Sequence, residues 1–349
     1  MSTPADPIDT LCEGFADGGS DWLEAPSLEA LSAQDVVGLL DIQTFFELLG
    51  RPYPADRKGV IERLIKQGLI DKTAEGYSIR RMGALLLAKR LDEFPLDISA
   101  KAPRIVAYSG NSKINTRHDH IENKGYAAGF QWLLQLVMAQ LPQREEIKDA
   151  LRRKIILAPE IAVRELIANA LIHQDFCMTG MRVMIEIYDD RVEISNPGEP
   201  PVPVERFIDG GGARNKRLAA MMRRFSICEE RGGGIDKVIA AAEESGLQAP
   251  EFRAESRRTK VILYGAKPLD EMDRNARVRA CYQHCVLQYV LGRRMTSQTL
   301  GERFKLSARR RAVVSKVIDH ALEANVIKPD AGAGAGASEK YDCYVPVWG

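Results

Sequence analysis

The chain has 349 residues, two to three times the usual domain length, so it carries at least two packed units. Hydrophobic residues make up 45% and charged ones 28%, with 49 Lys and Arg against 48 Asp and Glu, which excludes a disordered, collagen-like or disulfide-scaffold protein. Six scattered cysteines suit reduced thiols and a cytoplasmic location, and no apolar stretch reads as a signal peptide or a membrane span.

The balance of charge hides an uneven distribution. Residues 1–50 hold ten acidic side chains and no Lys or Arg, whereas residues 273–328 hold twelve Lys or Arg against four Asp or Glu. Such asymmetry fits either an anionic partner at the basic end or a solvated helical surface.

In chain order, residues 1–33 are rich in Asp, Gly, Ser and Pro and are expected to form an acidic flexible leader. Ser32 with Asp35 three residues on reads as a helix cap, and apolar residues from Val36 to Leu49 recur at helical spacing, so structure is expected to begin near Ser32. A second helix over 55–67 precedes two short strands around the Glu75-Gly76 turn. Residues 34–92 thus read as a winged-helix-like unit, which either enters a major groove or packs domains together. A helix over 82–90, a strand over 104–109 and a helix over 126–141 follow, with Arg117-His-Asp-His120 between them read as a polar loop rather than a metal site.

The segment Pro159 to His173 reads as a helix with one apolar face formed by Val163, Leu166, Ile167, Ala170 and Leu171. Glu165, Asn169 and His173 make a separate stripe at i, i+4 and i+8, bordered by Ile161 and Ile172. A carboxylate among apolar neighbours is costly unless it meets a cation, a metal or a hydrogen-bond network, so Glu165 marks a candidate site. Alternation from Arg182 to Gly198 about Asp189-Asp190 predicts a β-hairpin ending in Asn196-Pro197-Gly198. A loop containing Arg214-Asn215 and an apolar helix through Leu218 follow. Gly232-Gly233-Gly234 then opens a helix over 236–244, where backbone N–H groups can converge on phosphate.

Residues 269–349 read as a second, basic winged helix: helices over 274–289, 295–304 and 305–322, a strand at Val326, a Gly/Ala wing tip over 331–337 and a return strand to Trp348. Arg309, Arg310, Arg311 and Lys316 open its recognition helix, the position from which cations displace counterions from DNA phosphates. Cys281-x-x-His284-Cys285 lies within two turns of one helix and reads as a metal-free helix.

The order Glu165-x-x-x-Asn169, Asn196-x-Gly198 and Gly232-Gly233-Gly234 resembles the three nucleotide-binding boxes of the GHKL ATPases, the group of gyrase B, MutL and the sensor histidine kinases. Arg164 to Phe176, Ile194 to Gly198, Arg214-Asn215 and Cys228 to Lys237 are similar to bacterial proteins in which a Schlafen-type, AlbA-like DNA-binding domain precedes a GHKL-like domain, several described as transcriptional regulators or RecG-related. The resemblance starts after that AlbA-like domain, which this chain is expected to lack.

The resemblance implies an α/β fold, a histidine-kinase-like ATPase sandwich over residues 93–268 flanked by the two winged helices. It makes Glu165 the base that polarises water, Asn169 the Mg²⁺ ligand, and Asn196 the adenine reader. Gly198, Arg214, Asn215 and Gly232 to Gly234 would complete the nucleotide site. Two departures bear on it: the usual adenine-binding Asp is Asn196, which loses the negative charge, and Gly198 runs into Glu199-Pro200-Pro201, a stiffer backbone. The expected protein binds ATP and Mg²⁺, with hydrolysis an open question, and couples nucleotide state to DNA binding as a regulator or defence-type effector. It works without a membrane, and a homodimer is expected by analogy. The rival expectation is a DNA-binding regulator whose GHKL-like fold is vestigial or only a dimerisation platform.

Overall fold

The computed structural model describes residues 20–148, 151–210, 212–228, 234–306, 310–330 and 343–349. The first unit comprises α1 (Ser20–Glu24), β1 (Pro26–Leu31), α2 (Ala33–Leu39), α3 (Ile42–Leu48), α4 (Arg57–Lys66), β2 (Ile70–Thr73), β3 (Gly76–Arg80) and α5 (Arg81–Leu87). β3 lies between β1 and β2, antiparallel to both.

Two expectations fail here. Structure begins before Ser32: Trp22 and Leu23 are buried, Trp22 stacks on Phe176 at 4.9 Å, and the Arg81 guanidinium covers its ring. A five-residue helix is too short to show a period, which is why composition masked it. Residues 1–19 of the expected leader lie outside the described residues. The single helix expected from Ser32 to Leu49 is also two. The Ser32 and Asp35 capping box starts the first, and Asp41 starts the second by accepting from the Thr44 N–H at 3.1 Å. An Asp carboxylate competes for backbone donors and caps better than it continues a helix.

The central part contains α6 (Leu96–Ser99), β4 (Arg104–Tyr108), β5 (Thr116–Ile121), α7 (Tyr126–Gln140), β6 (Gln143–Lys148), β7 (Leu151–Ile156), α8 (Glu160–His173), β8 (Met184–Ile187), β9 (Arg191–Pro197), α9 (Lys216–Arg224), α10 (Gly234–Glu244), β10 (Glu251–Glu255) and β11 (Arg258–Tyr264). Six strands form one mixed sheet in the order β10-β11-β9-β8-β4-β5, parallel only between β4 and β8. The fold is therefore α/β, as the resemblance implied. Arg117 to His120 belongs to β5 rather than to a loop, because its backbone pairs with β4 at the sheet edge; Arg117 and Asp119 are exposed on one face and His118 and His120 are half-buried on the other. The β6 and β7 ribbon escaped the sequence pattern, since its charged composition lacks strict alternation.

One face of the hairpin β8 and β9 is apolar: Ile185, Ile187, Val192 and Ile194 are buried beneath α8, which also touches α7 and α10. The opposite face carries Glu186, Glu193 and Ser195, paired to Lys113, to Arg191 and Lys260, and to Arg258. A single hydrophobic core runs from Trp22 through the helices to Leu263, so the first unit and the sheet share an interior.

The last part holds α11 (Arg274–Val290), α12 (Ser297–Arg303), α13 (Arg311–Glu323), β12 (Ile327–Pro329) and β13 (Tyr344–Pro346) around its own core of Cys281, Cys285, Met295, Leu300, Val317 and Ile318. Burial pushes the Cys281 thiol up, and pushes Cys285 up to about 12, so both sulfurs act as small apolar groups. His284 bonds Glu243 through Nδ1 at 2.9 Å, and no group of three metal ligands exists among the described residues. The expected wing tip over 331–337 lies outside the described residues. Among the described residues no helix is long and apolar enough to cross a membrane.

Candidate functional site

α8 is framed by Pro159 at its start and by Gln174 at its end, where the Gln174 amide donates to Leu171 O at 3.0 Å and to Tyr126 Oη at 3.0 Å. Its apolar face packs as periodicity predicts: Val163, Leu166, Ile167, Ala170 and Leu171 are all buried. The remaining stripe turns toward a cavity of about 250 Å³ whose wall includes Glu165, Asn169 and His173. Ile161, expected to border the stripe, is instead 46% exposed.

Glu165 is 2% exposed, and the Arg164 guanidinium lies 3.8 Å from its Oε1. Gly234, the first residue of α10, comes so close that a Cβ there would lie 2.9 Å from Glu165 Oε2 and 3.4 Å from Asn169 Nδ2. Any larger residue would enter the space in front of these two groups. The far wall is made by adjacent strands: Asn196 of β9 sits in register with Thr259 of β11, and both are buried. The Asn196 Nδ2 donates to Pro197 O at 3.0 Å, and the Thr259 hydroxyl donates to Gly198 O at 2.8 Å. With its amide donor engaged, Asn196 keeps its carbonyl oxygen as the acceptor.

The sequence-expected residues divide into two groups. Glu165, Asn169, Asn196 and Gly234 line one cavity. Gly198, Arg214 and Asn215 brace it from behind. Gly198 has φ +100°, and a Cβ on it would lie 2.9 Å from Asp175 Cβ, so glycine is required there by protein packing. Arg214 donates to His173 O at 3.1 Å, and the fully buried Asn215 donates to Ile172 O at 2.7 Å and to Gln174 O at 2.8 Å. These bonds hold the carbonyl end of α8, which a helix leaves unsatisfied. Gly232 and Gly233 lie outside the described residues, as does Arg309. Arg310 pairs with Asp270, while Lys316 is exposed on α13. Both are on the C-terminal part, away from the cavity lining.

Among the lining residues absent from the expected site, three stand out. Thr259 lies on β11, a strand the pattern did not announce. Phe207 comes from the loop after Pro201. Arg223 faces inward one turn after Ala219 on α9, and the i, i+4 pair was its only sequence signal. His173 was on the stripe but had no assigned role. Burial, reinforced by the positive charge of Arg214, lowers its pKa to about 4, so its imidazole is neutral at pH 7.

Residues 180–263 match a family model described as "Putative ATP-dependent DNA helicase recG C-terminal". The match takes in both strand walls and α9, and stops short of α8 with Glu165 and Asn169. Among solved structures, the DIP2311 protein from Corynebacterium diphtheriae has a similar fold, with a TM-score of 0.57 at 17% identity over 99% of this chain and 68% of that one. No curated protein matches the sequence. Over residues 180–263, on a mixed α/β framework, the chain is thus similar to the RecG C-terminal group of GHKL-like ATPase domains.

Proposed function

We propose that the cavity binds ATP with Mg²⁺ and that the protein couples nucleotide state to DNA binding, as a regulator or defence-type effector. One observation carries this: Glu165, Asn169 and Asn196, far apart in sequence, line one cavity with Gly234 pressed against the first two. The match to the RecG-like family model supports nucleotide binding independently.

The Asn196 carbonyl oxygen would accept from the exocyclic amine of adenine, beside Thr259. Phosphates would then run along α8 toward Gly234. Mg²⁺ suits a site with one protein oxygen, that of Asn169, because the ion keeps waters and takes phosphate oxygens for the rest, and it would neutralise charge there. Glu165 would hold the attacking water and take its proton, and its apolar surroundings exclude competing solvent.

Contacts from the cavity into the C-terminal part support the coupling. α10 starts at the cavity with Gly234 and carries Glu243 near its other end, where it meets His284 at 2.9 Å and Arg303 at 3.2 Å. The loop that supplies Phe207 is gripped as well: Tyr282 Oη donates to Glu205 O at 2.8 Å, and Arg206 lies 4.3 Å from the centre of the Trp348 ring. The C-terminal helices with Arg309, Arg310, Arg311 and Lys316 are the proposed DNA-contacting unit, with the N-terminal one as a second winged helix.

Calorimetry with ATP and Mg²⁺ tests the reading. Saturable heat with a thermal shift is expected, and Glu165→Ala should abolish phosphate release while leaving affinity within about threefold, since the base acts in the transition state. Absence of heat and shift at millimolar nucleotide would leave the chain a DNA-binding regulator whose GHKL-like fold serves only as a platform.

A further inference from the structure

α9 carries four basic residues and no acidic one, and two of them have protein partners. Arg217 pairs with Glu24, Arg224 donates to Gln67 of the first unit, and Lys216 is exposed to solvent. Arg223 differs. It lines the cavity together with Ala219, and no carboxylate among the described residues lies within ion-pair distance of it.

The hydrogen bonds fix which end of the cavity it serves. At the start of α9, Asn215 is tied to Ile172 O and Gln174 O, level with the end of α8. Past the end of α9, Ser226 O accepts from Arg164 at 2.7 Å, level with Glu165. α8 and α9 therefore run antiparallel along the cavity, and the Ala219 and Arg223 stripe looks across at Asn169 and Glu165. The opposite end is closed by Asn196 and Thr259, with Asp175 N–H bonded to Pro197 O at 2.9 Å just beyond His173. The cavity thus has an amide and hydroxyl end and, along α8 from it, an end with a carboxylate and the Arg223 guanidinium.

We propose that Arg223 reads the terminal phosphate of the nucleotide, so that the site distinguishes a nucleoside triphosphate from the diphosphate. This rests on the nucleotide-binding reading above. A guanidinium presents a planar fork of donors that matches phosphate oxygens, and a carboxylate such as Glu165 can approach a terminal phosphate only where positive charge offsets the repulsion. Arg223 is placed to supply that charge from within the same chain.

The test compares the Kd values of a non-hydrolysable ATP analogue and of ADP, each with Mg²⁺, for the wild type, Arg223→Gln, Arg223→Lys and Lys216→Ala. The wild type is expected to prefer the triphosphate. Arg223→Gln should cut that preference by about tenfold or more while ADP affinity changes little, as loss of a charge-assisted bond implies. Arg223→Lys should keep part of the preference, and Lys216→Ala all of it. Titrations are run below the melting transition of the glutamine variant, so a stability loss does not obscure the ratio. A wild type that binds both nucleotides equally, or a glutamine variant with an unchanged ratio, would overturn the assignment of Arg223 alone. A wild type that binds neither nucleotide would overturn the nucleotide reading and this one with it.

Discussion

Gly234→Ala separates the position of Glu165 from the stability of the fold. The new Cβ would stand 2.9 Å from Glu165 Oε2, against the 3.4 Å at which ordinary contact begins, so the carboxylate must retreat by about 0.5 Å. The atom it meets is the far end of a side chain, and Gly234 does not have positive φ, so alanine fits its backbone. Alanine also favours the first turn of α10, by up to about 1 kcal/mol in a helix interior and less at its start, which offsets part of the crowding. The melting temperature should therefore move by only a few degrees. Function should suffer more, because a misplacement of about 1 Å in a reacting group costs on the order of a hundredfold in rate. Half of that displacement implies about tenfold in ATP-dependent phosphate release, whereas Asn169 Nδ2, at 3.4 Å, stays at ordinary contact distance, so ATP·Mg²⁺ affinity should change little. Differential scanning fluorimetry and calorimetry on the same preparation read both. A variant that binds and turns over like the wild type would show that nothing reacts in front of Glu165. A variant that simply unfolds would show the glycine to be structural.

Two further outcomes can be checked. His173 has its pKa lowered from 6.5 to about 4, so below pH 6.5 the unfolded chain takes a proton that the folded one refuses. Its contribution is intact above pH 6.5 and is lost as pH falls toward 4, by at most about 3 kcal/mol for this half-buried ring. His173→Asn should flatten that limb in urea titrations, and parallel wild-type and variant curves would disprove the assignment. Neutralising Arg309, Arg310 and Arg311 together should weaken DNA binding and reduce the slope of log K against log salt by about one for each DNA phosphate no longer neutralised, with Arg310 mattering least because Asp270 already holds it. An unchanged slope would place the DNA elsewhere on the protein.

Several parts of this protein are legible without coordinates. A fourteen-residue helix, apolar but for one polar stripe, is long enough to declare itself, so α8 and the stripe of Glu165, Asn169 and His173 follow from spacing. The β8 and β9 hairpin is equally plain because Ile185, Ile187, Val192 and Ile194 alternate with polar residues and are buried on one face. Residues that hold the site were harder. Arg214 and Asn215 were marked by sequence, yet whether they face a ligand or the carbonyl end of α8 depends on where another helix stops.

Local sequence thus determined the longer helices such as α8, the hairpin of β8 and β9, and that a carboxylate is set among apolar neighbours, since these depend on periodicity within a few turns, whereas the short α1 and the strands β5, β6, β7 and β11 escaped it. Only the tertiary structure decided which groups share the cavity. Thr259 reaches it through strand register, Arg223 through the antiparallel course of α9 against α8, and Gly234 through its approach to a residue nearly seventy positions earlier. Such long-range juxtapositions are fixed by how layers pack, and no local spacing encodes them.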